Sequence, residues 1–241
     1  VMPYTFGDCW VTDATPEERA LLQRSALSAI AAIHSITPDD HDLSFLEPSP
    51  PLRPLAGNTA LARNLDWWDQ YREWVTDDAP SVLLDECFAW LRDTMPATTD
   101  ARLSWGDARI GNMLFDGFDV AAVLDWEMAG IAPAELDLGW TVYLHRFFQD
   151  LAEQMGMPGL PDFMTEADVT SAYAELTGRT PDDLQWYASY AAMRHGVIMR
   201  RVTERAVLFG QAVRPADPDE MVMHRATLRQ MLDGTYWDRV A

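Results

Sequence analysis

Lysine is absent from this 241-residue chain, and positive charge of any kind is scarce. Eighteen bases, all of them arginine, face thirty-eight acids, which leaves a formal charge of −20. That sign argues against a nucleic-acid partner, whose phosphates attract the opposite charge. Most of the acids serve to keep the surface soluble, and an acidic cleft that draws in a cationic ligand is the alternative. Cysteine is nearly missing too: Cys9 and Cys87 make no metal-ligand spacing and no disulfide framework, which points to a reducing, cytoplasmic setting. No apolar run reaches the length of a membrane span, and no signal peptide opens the chain. Repeats, low-complexity tracts and heptads are absent as well.

What remains is the composition of a globular protein, 48% apolar with ten tryptophans, and long enough for one large domain or two small ones. Thr15-Pro-Glu-Glu18 supplies a capping residue, a proline at the first helical position and a glutamate three after the cap. Leu22, Ala26, Ala29, Ile30 and Ile33 then repeat on one face to about His34, which as a lone histidine at a helix end reads as structural. Residues 37–57 form a long loop, where His41 lies among Asp39, Asp40 and Asp42 as part of a solvated acidic stretch. Helices are expected over 61–75 and 81–95. In the first, Trp67, Trp68, Tyr71 and Trp74 read as helix packing rather than as a ligand pocket. Further helices run from Asp137 to about Gln154 and from Thr165 to Gly178, then from Pro181 to about Phe209 and from Asp217 to Leu232. Arg194, Arg200, Arg201 and Arg205 recur along the third of these, where pairing with an acidic surface is the default.

The segment 104–140 is different. Leu103 and Trp105 read as a short strand, and 112–115 with 120–124 as a hairpin turning at Asp116-Gly117. Around these strands stand Asp107, Asn112 five positions on, and Asp125 at the end of an apolar run, followed by Trp126 and Glu127. Apolar strands that end in Asp and Asn aim oxygen atoms into a cleft. Mg²⁺ takes carboxylates, amide oxygens, water and phosphate oxygens, and an alcohol attacking a phosphate needs a carboxylate for its proton. Asp107, Asn112 and Asp125 supply those parts.

The pattern Trp105-Gly106-Asp107, four residues, Asn112, then Asp125-Trp126-Glu127 and Asp137-Leu138-Gly139-Trp140 resembles the catalytic core of aminoglycoside phosphotransferase-like enzymes. These are similar in fold to choline kinase and protein kinases. The resemblance implies an α+β, mostly helical domain over 1–241: a protein-kinase-like C-lobe with a small catalytic hairpin, its core at 104–140. It implies that Asp107 is the catalytic base and that Arg109 sets a cation beside the transferred phosphate. Asn112 and Asp125 would hold Mg²⁺ and, through it, ATP or GTP. Asp137 would fasten the catalytic loop, with Trp105 (where the family usually has His) and Glu127 as braces. Segment 1–12 would follow the linker from a small N-terminal lobe that carries a phosphate-covering loop and a lysine. Neither feature is found, so the chain is expected to be a C-lobe whose N-lobe lies outside it.

The expected activity is transfer of a nucleotide γ-phosphate to a hydroxyl of a small molecule, an aminoglycoside or another alcohol such as a hydroxyacyl compound. A non-catalytic small-ligand module built on the same fold is the alternative. A metal-dependent phosphohydrolase ranks lower, because no Asp-x-Asp ends an early strand. Neither nucleic acid nor membrane is an expected partner.

Overall fold

A computed structural model describes residues 5–6, 9–47, 49–50 and 52–240, without the side chains of Arg239 and Val240. Residues 1–4 and 7–8 of the expected post-linker segment lie outside that set. The elements follow as α1 (Trp10–Asp13), α2 (Pro16–His34), α3 (Ala60–Thr76), α4 (Val82–Asp93), β1 (Arg102–Ser104), β2 (Met113–Asp116) and β3 (Asp119–Val123). Then come β4 (Gly130–Ala132), α5 (Ala134–Gln154), α6 (Glu166–Thr177), α7 (Leu184–Leu208), α8 (Arg225–Leu232) and α9 (Thr235–Val240). The fold is thus mostly helical α+β with two small antiparallel sheets, β1-β4 and β2-β3. No helix among the described residues is long and apolar enough to cross a membrane, and both cysteines are free.

Two compact units divide the chain. The first comprises Val1–Glu47 and Asp100–Ala188. Here α2 begins as its sequence dictates: the Thr15 hydroxyl accepts from the Glu18 amide and the Glu18 carboxylate accepts from the Thr15 amide. Leu22, Ala26, Leu27, Ile30 and Ile33 are buried, with Leu27 rather than Ala29 completing the stripe. That face packs on α6 and β3. Helix α5 starts at Ala134, three residues before the expected Asp137, with extended Pro133 at the N-cap position and no side-chain cap. Its first half is buried almost all round, so it serves as the central post of this unit.

The second unit comprises Pro48–Thr99 and Ser189–Ala241. Its core joins Leu84, Phe88 and Leu91 of α4 to Ala192, Met193 and Val197 of α7 and to Leu228 of α8. Two expectations are corrected here. Residues 217–232 are not one helix, because a 3-10 turn at Pro218–Met221 ends in extended Val222 before α8 begins. Arg194 and Arg200 are buried, not on a solvated surface. The Arg194 guanidinium lies over the Trp68 and Tyr190 rings, 5.0 and 5.5 Å from their centroids. Arg200 donates to the Ala79 and Pro218 carbonyls and pairs with Glu204. Aromatic faces and backbone oxygens replace the water that an arginine gives up on burial. The Trp67–Trp74 aromatics pack on one another, with Trp67 and Tyr71 stacked at 5.2 Å and Arg201 lying over Trp74.

Candidate active site

The site belongs to the first unit and is closed by a pairing too short to read from sequence. Strands β1 and β4 run antiparallel with Arg102 opposite Ala132, Leu103 opposite Ile131 and Ser104 opposite Gly130. The whole stretch between them is therefore a loop tied at its neck. Within it β2 and β3 form the expected hairpin, with Met113 opposite Val123, a bulge at Leu114/Phe115, and Gly117 at φ +60° in the turn. Gly106, just past the neck, has φ +91°, and a Cβ there would lie 2.1 Å from the Met128 carbonyl oxygen. Only glycine fits that crossing of the two loop halves.

One buried carboxylate organises the first half. Asp137 accepts from the amides of Trp105 (2.7 Å) and Gly106 (2.8 Å), from the Ser104 hydroxyl (2.8 Å), and from His34 Nε2 (3.0 Å). Burial is the largest influence on this carboxyl and acts to raise its pKa. The donors from His34, Gly106 and Ser104 outweigh it and hold the group below the ordinary carboxylate range. His34 Nδ1 meets the Tyr173 hydroxyl at 3.0 Å. Burial pushes the pKa of that tyrosine up to about 12. Sequence reasoning left His34 as a generic structural histidine; nothing local marks a partner 103 positions away.

Asp107 stands next in the loop. Its Oδ1 accepts from Trp140 Nε1 at 2.6 Å and its Oδ2 from Asn112 Nδ2 at 2.7 Å. Arg109 Nε reaches both oxygens, at 3.1 and 3.2 Å. Trp140 was missed because a tryptophan at helical spacing reads as core, and it is core, yet its indole N–H is a donor with an address. Arg109 spends one N–H on Asp107; its remaining guanidinium donors have no partner among the described residues. The guanidinium folds over Gly111, where a Cβ would sit 2.7 Å from Nη1.

The second half of the loop is pinned to the first at Leu124. The Leu124 amide donates to the Asn112 carbonyl, and Trp105 Nε1 donates to the Leu124 carbonyl, both at 2.8 Å. Asp125 follows in the left-handed region at φ +63°. It is exposed, and its carboxylate engages no described residue. Glu127 is also exposed and makes no hydrogen bond or ion pair among the described residues.

The donor set fits a hard cation. Both hydrogen bonds of the Asn112 amide leave from Nδ2, to the Asp107 carbonyl and carboxylate, which turns Oδ1 away with no described donor on it. An amide oxygen and an unengaged carboxylate are what Mg²⁺ takes alongside water and phosphate oxygens. Among the described residues no cluster of three or more His, Cys, Asp or Glu side chains could hold a metal, so an all-protein cage is not what this loop offers.

A cavity of about 520 Å³ lies against the loop, lined by Trp10, Arg109, Gly111, Leu114, His145 and Phe148 among others, with no acidic side chain among the described lining residues. His145 is buried there with Nε2 on the Leu160 carbonyl at 3.0 Å. Burial first, then the charge of Arg146, lowers its pKa to about 4 from 6.5. The folded state therefore keeps it neutral while an unfolded chain protonates it below pH 6.5. Its contribution to stability is lost as pH falls from 6.5 and levels off below about 4, to a limit of about 3 kcal/mol. Urea unfolding at pH 7 and pH 5 should show this loss in the native chain and a shallower one in His145→Gln.

The model of the phosphotransferase enzyme family (APH) matches residues 6–160, which include every group just described except Tyr173. In fold, the chain is similar to a candidate aminoglycoside phosphotransferase from Ralstonia eutropha JMP134. The identity is 22% and the TM-score 0.65, over 94% of this chain and 67% of that one. It is also similar to the macrolide 2′-phosphotransferase of Brachybacterium faecium, in its apoenzyme form. There the identity is 21% and the TM-score 0.51, over 89% of this chain and 61% of the other. The chain thus spans about two thirds of the first structure and less of the second. With its loop tied by Asp137 and its model match over well more than half its length, this chain belongs to the phosphotransferase enzyme family.

Proposed function

We propose that this chain carries the catalytic loop of a small-molecule kinase that moves the γ-phosphate of ATP or GTP to an alcohol. The observation that carries the reading is the Asn112 amide. Its nitrogen is spent on Asp107, so its oxygen is left for a cation beside the loop end that bears Asp125. Asn112 Oδ1 and Asp125 would hold Mg²⁺, which supplies charge neutralisation on the donor's phosphates. The acceptor oxygen attacks the γ-phosphorus, the bond to the β,γ-bridging oxygen breaks, and the hydroxyl proton passes to Asp107. Three N–H groups already hold the Asp107 carboxylate, so its main work is to orient the hydroxyl with a remaining lone pair and to take the proton late. The uncommitted N–H groups of Arg109 offset charge on the moving phosphoryl group. Asp137, Trp105 and Trp140 hold these groups in place.

The acceptor follows from what faces Arg109. The described residues of the cavity wall include an arginine and no carboxylate, which supports an uncharged or acidic alcohol, a hydroxyacyl compound among them, over an aminoglycoside as the acceptor. The setting is cytoplasmic, as the free thiols favour. One observation favours the second reading, a non-catalytic small-ligand module: both Asp107 oxygens are already engaged. Transfer of labelled γ-phosphate to a panel of hydroxyl compounds separates the two. The kinase reading expects Asp107→Asn to lower kcat by about 10²–10⁴-fold with nucleotide affinity kept. Turnover unchanged in that variant removes Asp107 from the catalytic role, and turnover absent from the native chain while small ligands still bind favours the module.

A further inference from the structure

The family pattern has His where this chain has Trp105, and the structure gives that tryptophan a specific task. It is fully buried, and its backbone amide is held by Asp137. Its indole N–H crosses to the other half of the loop and donates to the Leu124 carbonyl at 2.8 Å. That carbonyl belongs to the peptide that opens Asp125, whose φ of +63° is uncommon for a residue with a side chain. On the other side of Leu124, the amide is held by the Asn112 carbonyl at 2.8 Å. Both peptide groups of Leu124 are therefore fixed by the other half of the loop, one by Trp105 and one by Asn112. Trp126, beyond Asp125, adds a tilted ring contact with Trp105 at 6.2 Å.

We infer that Trp105 is a positioning residue for Asp125: its indole N–H holds the Leu124 peptide so that Asp125 stays left-handed and its carboxylate faces out. The backbone part of this inference stands by itself. Its consequence for cation binding rests on the reading of Asp125 given above. A hydrophobic residue of similar volume would fill the same space and leave the Leu124 carbonyl unpaired. The left-handed aspartate is flanked by two further ties, the Leu124 amide on the Asn112 carbonyl and Trp126 Nε1 on the Val123 carbonyl at 3.1 Å, but the indole of Trp105 is the described side-chain donor on the peptide that opens Asp125. The tryptophan thus joins the two halves of the loop through one hydrogen bond, in a place where volume alone would not serve.

The test compares native protein with Trp105→Phe and with a chain carrying 3-benzothienyl-alanine at position 105, which replaces the indole N–H by sulfur at nearly constant volume. The second variant serves if the first fails to fold. Two readouts are taken: the amide-to-Hα coupling of Asp125 by NMR, and Mn²⁺ affinity from water-proton relaxation, with Asp125→Asn as control. The inference expects the Asp125 coupling to move from its left-handed value in both variants, and Mn²⁺ affinity to fall about 10-fold or more, as for loss of a group that supports a ligand. An unchanged coupling overturns it, whatever the metal does. A changed coupling with Mn²⁺ affinity lost in Asp125→Asn but kept in the position-105 variants removes the functional half of the inference. If Asp125→Asn itself binds Mn²⁺ like the native chain, the reading of Asp125 as a cation ligand fails, and the coupling alone decides the role of Trp105.

Discussion

Asp137→Ala should destabilise the first unit by about 3–5 kcal/mol, the range for removing one partner of a buried, charged hydrogen-bond cluster. Four donors converge on this carboxylate: the Trp105 and Gly106 amides, the Ser104 hydroxyl and His34 Nε2. Alanine leaves all four in a site closed to solvent, where each unmet donor carries its own desolvation cost. Asp137→Asn keeps the volume but can accept through only one oxygen, and its NH₂ would face donors. It should recover less than half of the loss. Chemical denaturation followed by tryptophan fluorescence reads the effect, since Trp105 and Trp140 sit at the site. The sign with pH is fixed by the lowered pKa of Asp137: its contribution is whole above the unfolded value of 3.8 and is lost as pH falls through the lower folded value.

Gly106→Ala is the second large effect, and it acts through backbone rather than charge. At φ +91° an added Cβ costs about 1–2 kcal/mol in strain. The same Cβ would lie 2.1 Å from the Met128 carbonyl oxygen and 2.5 Å from its carbon, which are backbone atoms that cannot swing aside. Overpacking of that kind adds about 1–3 kcal/mol, and relief requires the Asp107 and Asp125 halves of the loop to separate. The expected result is a loss of about 2–5 kcal/mol together with loss of any Mn²⁺ binding. Gly117→Ala gives the contrast: φ is +60° there but nothing lies within 4 Å, so strain alone acts and the site is undisturbed.

The helices were legible because their signals are local. Thr15-Pro-Glu-Glu18 spells a capping box and the structure forms it; Thr165 caps α6 and Gly178 ends it in the left-handed region. The hairpin was legible for the same reason, with apolar runs on either side of an Asp-Gly turn. Strand β4 was not, since three residues between a loop and Pro133 carry no period, and their pairing with β1 is a long-range event. The break between Met221 and Arg225 was missed because the apolar spacing of Met221, Leu228 and Met231 continues through it. In the site, the motif fixed which residues meet but not how they are joined. The partners that the sequence hid, His34, Trp140 and the indole of Trp105, act through single N–H groups on side chains whose bulk reads as core. Glu127 is the opposite case: it stands inside the motif and makes no hydrogen bond or ion pair among the described residues.

The loop is therefore built in two halves with different freedoms. Asp107 and Asn112 are held by several hydrogen bonds each, whereas Asp125 is fixed by its backbone and its exposed carboxylate engages no described residue. On the proposed function, such a division would keep the group that orients the acceptor rigid and leave the group facing the donor's cation uncommitted until the nucleotide arrives.

The account stands or falls on a calorimetric titration of ATP and of GTP in Mg²⁺, on the native chain and on Asp125→Ala, repeated in any longer protein that contains this chain. It predicts saturable binding of at least one nucleotide that needs the divalent ion and weakens about 10-fold or more in the variant. Binding that ignores both Mg²⁺ and the Asp125 change, or no nucleotide binding in either protein, would contradict it.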